Sequence, residues 1–289
     1  MGINGDNVRE RRVRMELRRL RDEAGYTVRQ VAGRVGISAT KLSRMETGDR
    51  PLNTDDLAAL LGCYGAPRPL RQALLTLARE ARAPGWWDQG ERHLHDDLQF
   101  WIELEHDTAS LRNYEQLLVP GLLQTAAYAR AVIEGYGVPL PESEVAERVA
   151  ARVERQRLLD RTDGFRLHVL LHEAALHTAV GGTAVMRGQL AHLVDAAERP
   201  TVTLQVVPQS AGAHPGLGDG PFAILDYRSL PSLVHLENKV SSLFLEERTQ
   251  VETYIVAFNE ILAVAYGPTD SVELIRATVA QPAVPEGVP

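Results

Sequence analysis

Residues 27–48 read TVRQVAGRVGISATKLSRMETG, and the order of caps, apolar positions and glycines predicts two short helices joined by a tight turn. Thr27 is a good N-cap, and Gln30, three residues on, is placed to return a hydrogen bond to the cap's own N–H in a capping box. Val28, Val31, Ala32 and Val35 fall at i, i+3, i+4 and i+7, one helix face that must be buried. Gly36 supplies the freedom for a sharp turn, Ile37 an apolar plug, Ser38 the cap of a second helix and Gly48 its left-handed stop. On that second helix Leu42 and Met45 share one side, leaving Ala39, Thr40, Ser43, Arg44 and Thr47 elsewhere. Two helices with these caps and this turn make a helix-turn-helix. The outer face suits a DNA major groove: short side chains let the backbone approach, and Arg44 can pair in bidentate fashion with guanine O6 and N7.

Toward the N-terminus, Val13 to Ala24 predicts a helix with Val13, Leu17, Leu20 and Ala24 at core spacing; residues 1–12 read as a loose basic arm. Toward the C-terminus, a fourth helix is expected to be capped at Thr54, with Asp55 and Asp56 in a first turn where the helix dipole favours them. A fifth runs from Arg68 to Arg82. Residues 1–83 are thus expected to form an all-α five-helix domain. They hold 16 Lys and Arg against 10 Asp and Glu, and the rest of the 289-residue chain holds 15 against 28, so a formal charge of −7 hides a basic head on an acidic body. Only the head suits phosphate; the body repels it and orients the molecule. The single cysteine, Cys63, excludes an intramolecular disulfide framework, fits a reducing cytoplasm and reads as a structural thiol. The arginine-rich start has no apolar run behind it, and no stretch reaches the ~18 uninterrupted apolar residues of a membrane span. Neither a signal peptide nor a membrane is expected.

Residues 84–95 read as a linker, with Trp86 and Trp87 as anchors; His93 and His95 alternate there, but no ligand cluster completes a metal site. From 96 to 280 helices and strands mix. Helices are expected near Asp97–Ala109, up to Ala131, and over Glu142–Leu159, Ala184–Ala197, Thr249–Ala265 and Ser271–Val279. LRNYEQLL reads as a short extended piece. FRLHVLL, TVTLQVVP, FAILDYR and LVHLENKV are rich in β-branched and aromatic residues and predict strands. The expected fold class is multidomain: an all-α five-helix DNA-binding domain, then an α+β domain with a mixed β-sheet at 96–280, serving regulation and dimerisation. Residues 281–289 read as a disordered tail.

Signals for catalysis are weak. In HEAALH the histidines His172 and His177 stand five apart, not the four a zinc-protease helix needs, and SAGAHPGLGDGP lacks the spacing of a phosphate loop. The latter reads as a hairpin or a ligand-proximal loop with His214 as its polar participant. No catalytic residue, metal or cofactor is expected.

LRRLRDEAGYTVRQVAGRVGISATKLSRMETGDRPLNTDDLAALLGCYG is similar to the DNA-binding domain of the Xre/phage-repressor family. The resemblance implies a structural ion pair between Arg21 and Glu46, phosphate contacts at Thr27 and Val28, and base contacts from Ala39, Thr40, Ser43 and Arg44, with Ser38, Lys41 and Thr47 completing the helix presented to DNA. Arg50 matches a loop that meets the DNA backbone. Where many relatives carry glutamine, Ala39 and Thr40 offer methyl groups to thymine, so no operator sequence transfers. YEQLLVPGLLQTAAYARAV, VMRGQLAHLVDAAERPTVTLQVVP and SAGAHPGLGDGPFAILDY resemble the C-terminal domain of bacterial antitoxin-like regulators, often encoded beside a small partner protein. The expectation is a cytoplasmic homodimeric transcriptional regulator, a repressor and not an enzyme, on a pseudo-palindromic double-stranded operator. Its second domain is expected to answer a small protein partner or, alternatively, a small-molecule ligand.

Overall fold

The computed structural model describes residues 8–81, 96–137, 139–238 and 241–280. The readings on residues 1–7, the linker with Trp86, Trp87, His93 and His95, and the tail 281–289 lie outside them. Contacts divide the chain into two units, Met1–Asp107 with Arg228–Leu230, and Thr108–Tyr227 with Pro231–Pro289.

The first unit holds α1 (Val8–Glu23), α2 (Val28–Val35), α3 (Ala39–Thr47), α4 (Thr54–Cys63), α5 (Arg68–Glu80) and α6 (Asp96–His106). Val13, Leu17, Leu42, Met45, Leu57 and Leu74, one or more from each of α1, α3, α4 and α5, are wholly buried. Each such side chain contributes about 1.5–3 kcal/mol by leaving water. α1 starts earlier than its apolar spacing predicts, so part of the expected arm is helix. The reason is pairing: Arg9 donates through Nε and Nη2 to the Asp107 carboxylate, both at 2.9 Å, and Arg12 is buried. α6, which the sequence groups with the second domain, belongs by contact to the first unit. The cap of α4 is Asn53, whose side chain accepts from Asp55 N at 2.8 Å; Thr54 is the first helical residue, one position inside the expected cap.

The second unit comprises β1 (Ser110–Glu115), α7 (Ala126–Gly135), α8 (Glu142–Arg155), β2 (Arg166–His172), α9 (Ala174–His177), α10 (Gly182–Ala197), β3 (Val202–Val207), α11 (Gly216–Asp219), β4 (Phe222–Asp226), β5 (Leu233–Asn238), β6 (Ser241–Leu245), α12 (Arg248–Val264) and α13 (Pro268–Ala280). Its six strands lie in the order β3-β2-β1-β4-β5-β6. β1 pairs in parallel with β2, and β2 with β3, whereas β1–β4, β4–β5 and β5–β6 are antiparallel. The fold is therefore a helical head followed by a unit with a mixed sheet, as the periodicities predict.

β1 is a central strand despite its polar sequence, SLRNYE. Its polar groups are met across the sheet: Arg112 donates to both Asp226 oxygens at 3.0 and 2.9 Å, and Asn113 to Phe222 O at 3.1 Å. β6 is absent from the alternation reading, which runs LVHLENKV as one strand. Side chains alternate across the sheet. Tyr114, Phe222 and Val234 point to one face, where Val251, Phe258 and Ile261 of α12 close a core. Asn113, Glu115 and His235 take the other. Gln189 of α10, fully buried, accepts from Thr125 N at 2.7 Å and donates to Leu123 O at 2.6 Å, satisfying backbone groups that burial would otherwise leave unmet.

Candidate nucleic-acid interface

Thr27 caps α2 with φ −77° and ψ 155°. Gln30 N donates to Thr27 Oγ1 at 3.3 Å, and Thr27 N donates to Gln30 Oε1 at 2.8 Å, closing the capping box. Gly36 then takes φ 75°, a left-handed conformation open at low cost only to glycine. Ile37 N donates back to Ala32 O at 3.0 Å, and the Ser38 side chain accepts from Lys41 N at 3.1 Å to start α3.

Leu42, Met45 and Glu46 turn inward from α3, so helical spacing leaves Thr40, Ser43, Arg44 and Thr47 exposed, with Ser38 and Thr27 exposed nearby. Ala39 and Lys41 are half-buried, and the Val28 side chain packs against the core, leaving its backbone N–H as the group at the helix start. Lys41 Nζ lies 2.6 Å from Asp56 Oδ2, which fixes α3 to α4. Thr47 Oγ1 donates to Asp49 Oδ2 at 2.7 Å. Arg50 is exposed, and its carbonyl accepts from Arg14 Nη2 at 3.4 Å.

Arg21 anchors the unit from α1. Its Nε reaches Glu46 Oε1 at 2.8 Å, its Nη2 reaches Oε2 at 3.1 Å, and Nη1 donates to Tyr26 O at 3.2 Å. The bonds to Glu46 hold the Arg21 guanidinium above its ordinary pKa. This fork ties the first helix to the end of α3 and to the residue that precedes the Thr27 cap.

Sequence reasoning did not provide three of these contacts: Lys41 with Asp56, Arg14 with the Arg50 carbonyl, and the Arg34 guanidinium 4.5 Å above the Tyr26 ring. The first two join residues 15 and 36 apart, beyond any helical period. The third is local, since Arg34 stands eight residues after Tyr26, but Tyr26 lies before the Thr27 cap, outside the helical period of α2.

His214, the residue flagged in the glycine-rich stretch, lies in the second unit. Its ring meets Tyr114 edge-on at 6.0 Å between centroids and His172 at 6.1 Å. Both ring nitrogens are closed off from solvent without a hydrogen-bond partner. Burial lowers the pKa of His214 and His172 alike. Gly216 beside them admits no side chain, because a Cβ there would stand 2.4 Å from the Tyr114 ring. Among the described residues no group of three or more His, Cys, Asp or Glu is placed to hold a metal ion, and no helix is long and apolar enough to cross a membrane.

Residues 12–74 match the family described as "Helix-turn-helix domain", and residues 98–277 match the family described as "Domain of unknown function (DUF5753)". No curated protein and no solved structure matches the chain. Its head is a helix-turn-helix domain, which makes the protein a DNA-binding regulator, and with well over half of its length matched the chain belongs to the DUF5753 family.

Proposed function

We propose that the protein is a sequence-specific transcriptional repressor of Xre type, acting in the cytoplasm as a homodimer on a pseudo-palindromic operator and not as an enzyme. The observation that carries this reading is the sorting of α3: Leu42, Met45 and Glu46 are buried while Thr40, Ser43, Arg44 and Thr47 face outward. In this reading Thr40, Ser43 and Arg44 meet bases, and Thr27, the Val28 backbone and Arg50 meet phosphates. Ser38 and Lys41 hold the recognition helix in place. The DNA reader is assigned to 1–83 and the regulatory and dimerisation role to the domain over 96–280, joined by 84–95, although its first helix, α6, groups by contact with the head.

Selection of bound duplexes from a random library by the full-length protein tests it. The expected product is a two-fold motif with half-sites about one helical turn apart. Arg44→Ala should weaken binding by about 1–3 kcal/mol and relax one base position in each half-site. An unchanged profile overturns the base assignment.

Control of the regulator is assigned, as in antitoxin-like proteins, to a small protein encoded nearby. Co-purification with the product of a small neighbouring reading frame supports that partner. A second reading, a small-molecule sensor, is favoured by the unpartnered nitrogens of His214. Thermal stabilisation by one metabolite, but not by the neighbouring protein, distinguishes the two.

A further inference from the structure

We infer that Arg18 of α1, a helix outside the helix-turn-helix, meets a DNA phosphate beside Arg50 and gives the head a sequence-independent contact of its own. The inference rests on a head that binds DNA, and needs neither the operator nor the dimer proposed above.

α1 carries seven arginines. Six of them are buried or half-buried, and Arg18 alone is exposed. Their company differs as well. Arg9 pairs with Asp107, Arg14 with Glu10, Arg19 with Glu16 and Glu23, and Arg21 with Glu46 and Asp22. Arg18 has no hydrogen bond and no acidic partner among the described residues.

The place of Arg18 follows from the helical period. Arg14, Arg18 and Arg21 stand at i, i+4 and i+7, one stripe of α1, and the arginines at both ends of that stripe reach the end of α3 or the loop behind it. Arg21 Nε lies 2.8 Å from Glu46 Oε1, and Arg14 Nη2 donates to the Arg50 carbonyl at 3.4 Å. Arg18 lies between them, beside the segment from Glu46 to Arg50. Burial, and after it the charge of Arg18, lower the pKa of Arg14. The acids along this side are held by other groups: Glu10 by Arg14, Glu46 by Arg21, and Asp49 by the Thr47 hydroxyl, which donates to it at 2.7 Å. Two exposed cations, Arg18 and Arg50, are therefore set on one side of the head at the end of the recognition helix. Like charges at i, i+4 on a helix repel, so the Arg14–Arg18 step costs stability in the free protein and is relieved by an anion. A helix laid in the major groove has the sugar–phosphate backbone beside its ends, so phosphate is the anion that reaches this place.

The test is a salt titration of the full-length protein on two duplexes of equal length, the site selected by the native chain and an unrelated sequence. Losing one phosphate contact lowers the slope of log K against log salt by about 0.9 on B-DNA. Arg18→Gln should show that drop on both duplexes and weaken binding to each by a similar factor, with an unchanged melting temperature. Arg18→Lys keeps the charge and should keep the slope. Arg79→Gln, which removes an exposed arginine from α5, should leave the slope native. A slope for Arg18→Gln that matches the native chain or Arg79→Gln overturns the contact, even where affinity falls together with the melting temperature. A drop confined to the selected duplex overturns it too, because Arg18 would then read bases. Selection of no site by the native chain removes the sequence-specific reading above and leaves Arg18 to be judged on the unrelated duplex alone.

Discussion

The two units bury ionisable groups in opposite ways. In the first, charges go inside in pairs: Arg21 with Glu46, Arg9 with Asp107, Lys41 with Asp56. Asp107, with His106 and Arg9 against it, is held down to about 2 despite its burial. These pairs fix helices of the head to one another. The second unit has such a pair in Arg112 and Asp226, but it also buries groups that respond by losing their charge. Burial, reinforced by Glu237, pushes Glu115 up to about 8, and burial with the nearby Arg155 brings His235 down to about 4. A paired charge is a fastening, whereas a buried group that titrates near neutrality makes stability depend on solution conditions. In the head the charges fasten helices, while in the sheet unit Glu115 and His235 make stability depend on pH.

The sharpest way to break that contrast is to unpair Arg21. Glu46 is 4% exposed, so Arg21→Ala strands a carboxylate out of reach of water and should cost about 3 kcal/mol in chemical denaturation. Glu46→Ala should cost less, because Arg21 keeps Asp22 and the Tyr26 carbonyl as partners. The double variant Arg21→Met/Glu46→Leu, which removes both charges and keeps the volume, should be more stable than Arg21→Ala alone. Equal losses in all three would mean that packing, not pairing, holds α1 to α3.

The next effect belongs to the sheet unit and is read against pH. Glu115 in the folded chain keeps its proton up to about 8, whereas in the unfolded chain it loses it near ~4.3. The folded state binds the extra proton between those values, so this group's contribution falls as pH rises through the window and is flat above it. His235 runs the other way: with a folded value of about 4 against ~6.5 unfolded, its contribution rises with pH up to ~6.5 and is then flat. The two oppose each other below pH ~6.5, and Glu115 alone acts from there to about 8. Over that interval the native chain should lose about 2 kcal/mol of stability. Glu115→Gln should flatten the profile, and a native chain already flat between those limits would remove the titrating role from Glu115.

What was legible in the sequence follows the same division. Within residues 27–48 the determinants are local: a cap reaches three residues ahead, a glycine turns the chain where it stands, and a helical period sorts inside from outside. The exposure of Thr40, Ser43, Arg44 and Thr47 therefore follows from spacing alone. The sheet unit depends on partners far along the chain. β1 looks too polar for a central strand because the groups that satisfy Arg112 and Asn113 sit on β4, more than a hundred residues on. β6 escapes notice because the run read as a strand, LVHLENKV, stops at residue 240, and the five residues of SSLFL are too short a stretch to show a period of their own. The Arg9–Asp107 bond, 98 residues in span, extends α1 into a stretch that looks like a free basic arm. His214 is noticeable as a lone histidine among glycines, but nothing local places it between Tyr114 and His172.

The smallest effect separates two jobs at one residue of the head. Thr27 is both the cap of α2 and a candidate phosphate contact, and the bond that stabilises the helix is the one its Oγ1 accepts from Gln30 N. Thr27→Ala removes that acceptor and should cost about 1 kcal/mol of stability, while Gln30 keeps its bond to the backbone N–H of residue 27. Thr27→Asp restores the acceptor and adds a negative charge where the helix dipole favours it, so the unit should melt at or slightly above the native temperature. The same charge faces any phosphate brought to the start of α2. DNA affinity should therefore fall in the aspartate variant although its fold is sound, and fall further than in the alanine variant. If both variants bind DNA in proportion to their stability alone, residue 27 caps a helix and meets no phosphate, and the seat of the head on the duplex must be sought at Arg50 and the other exposed cations.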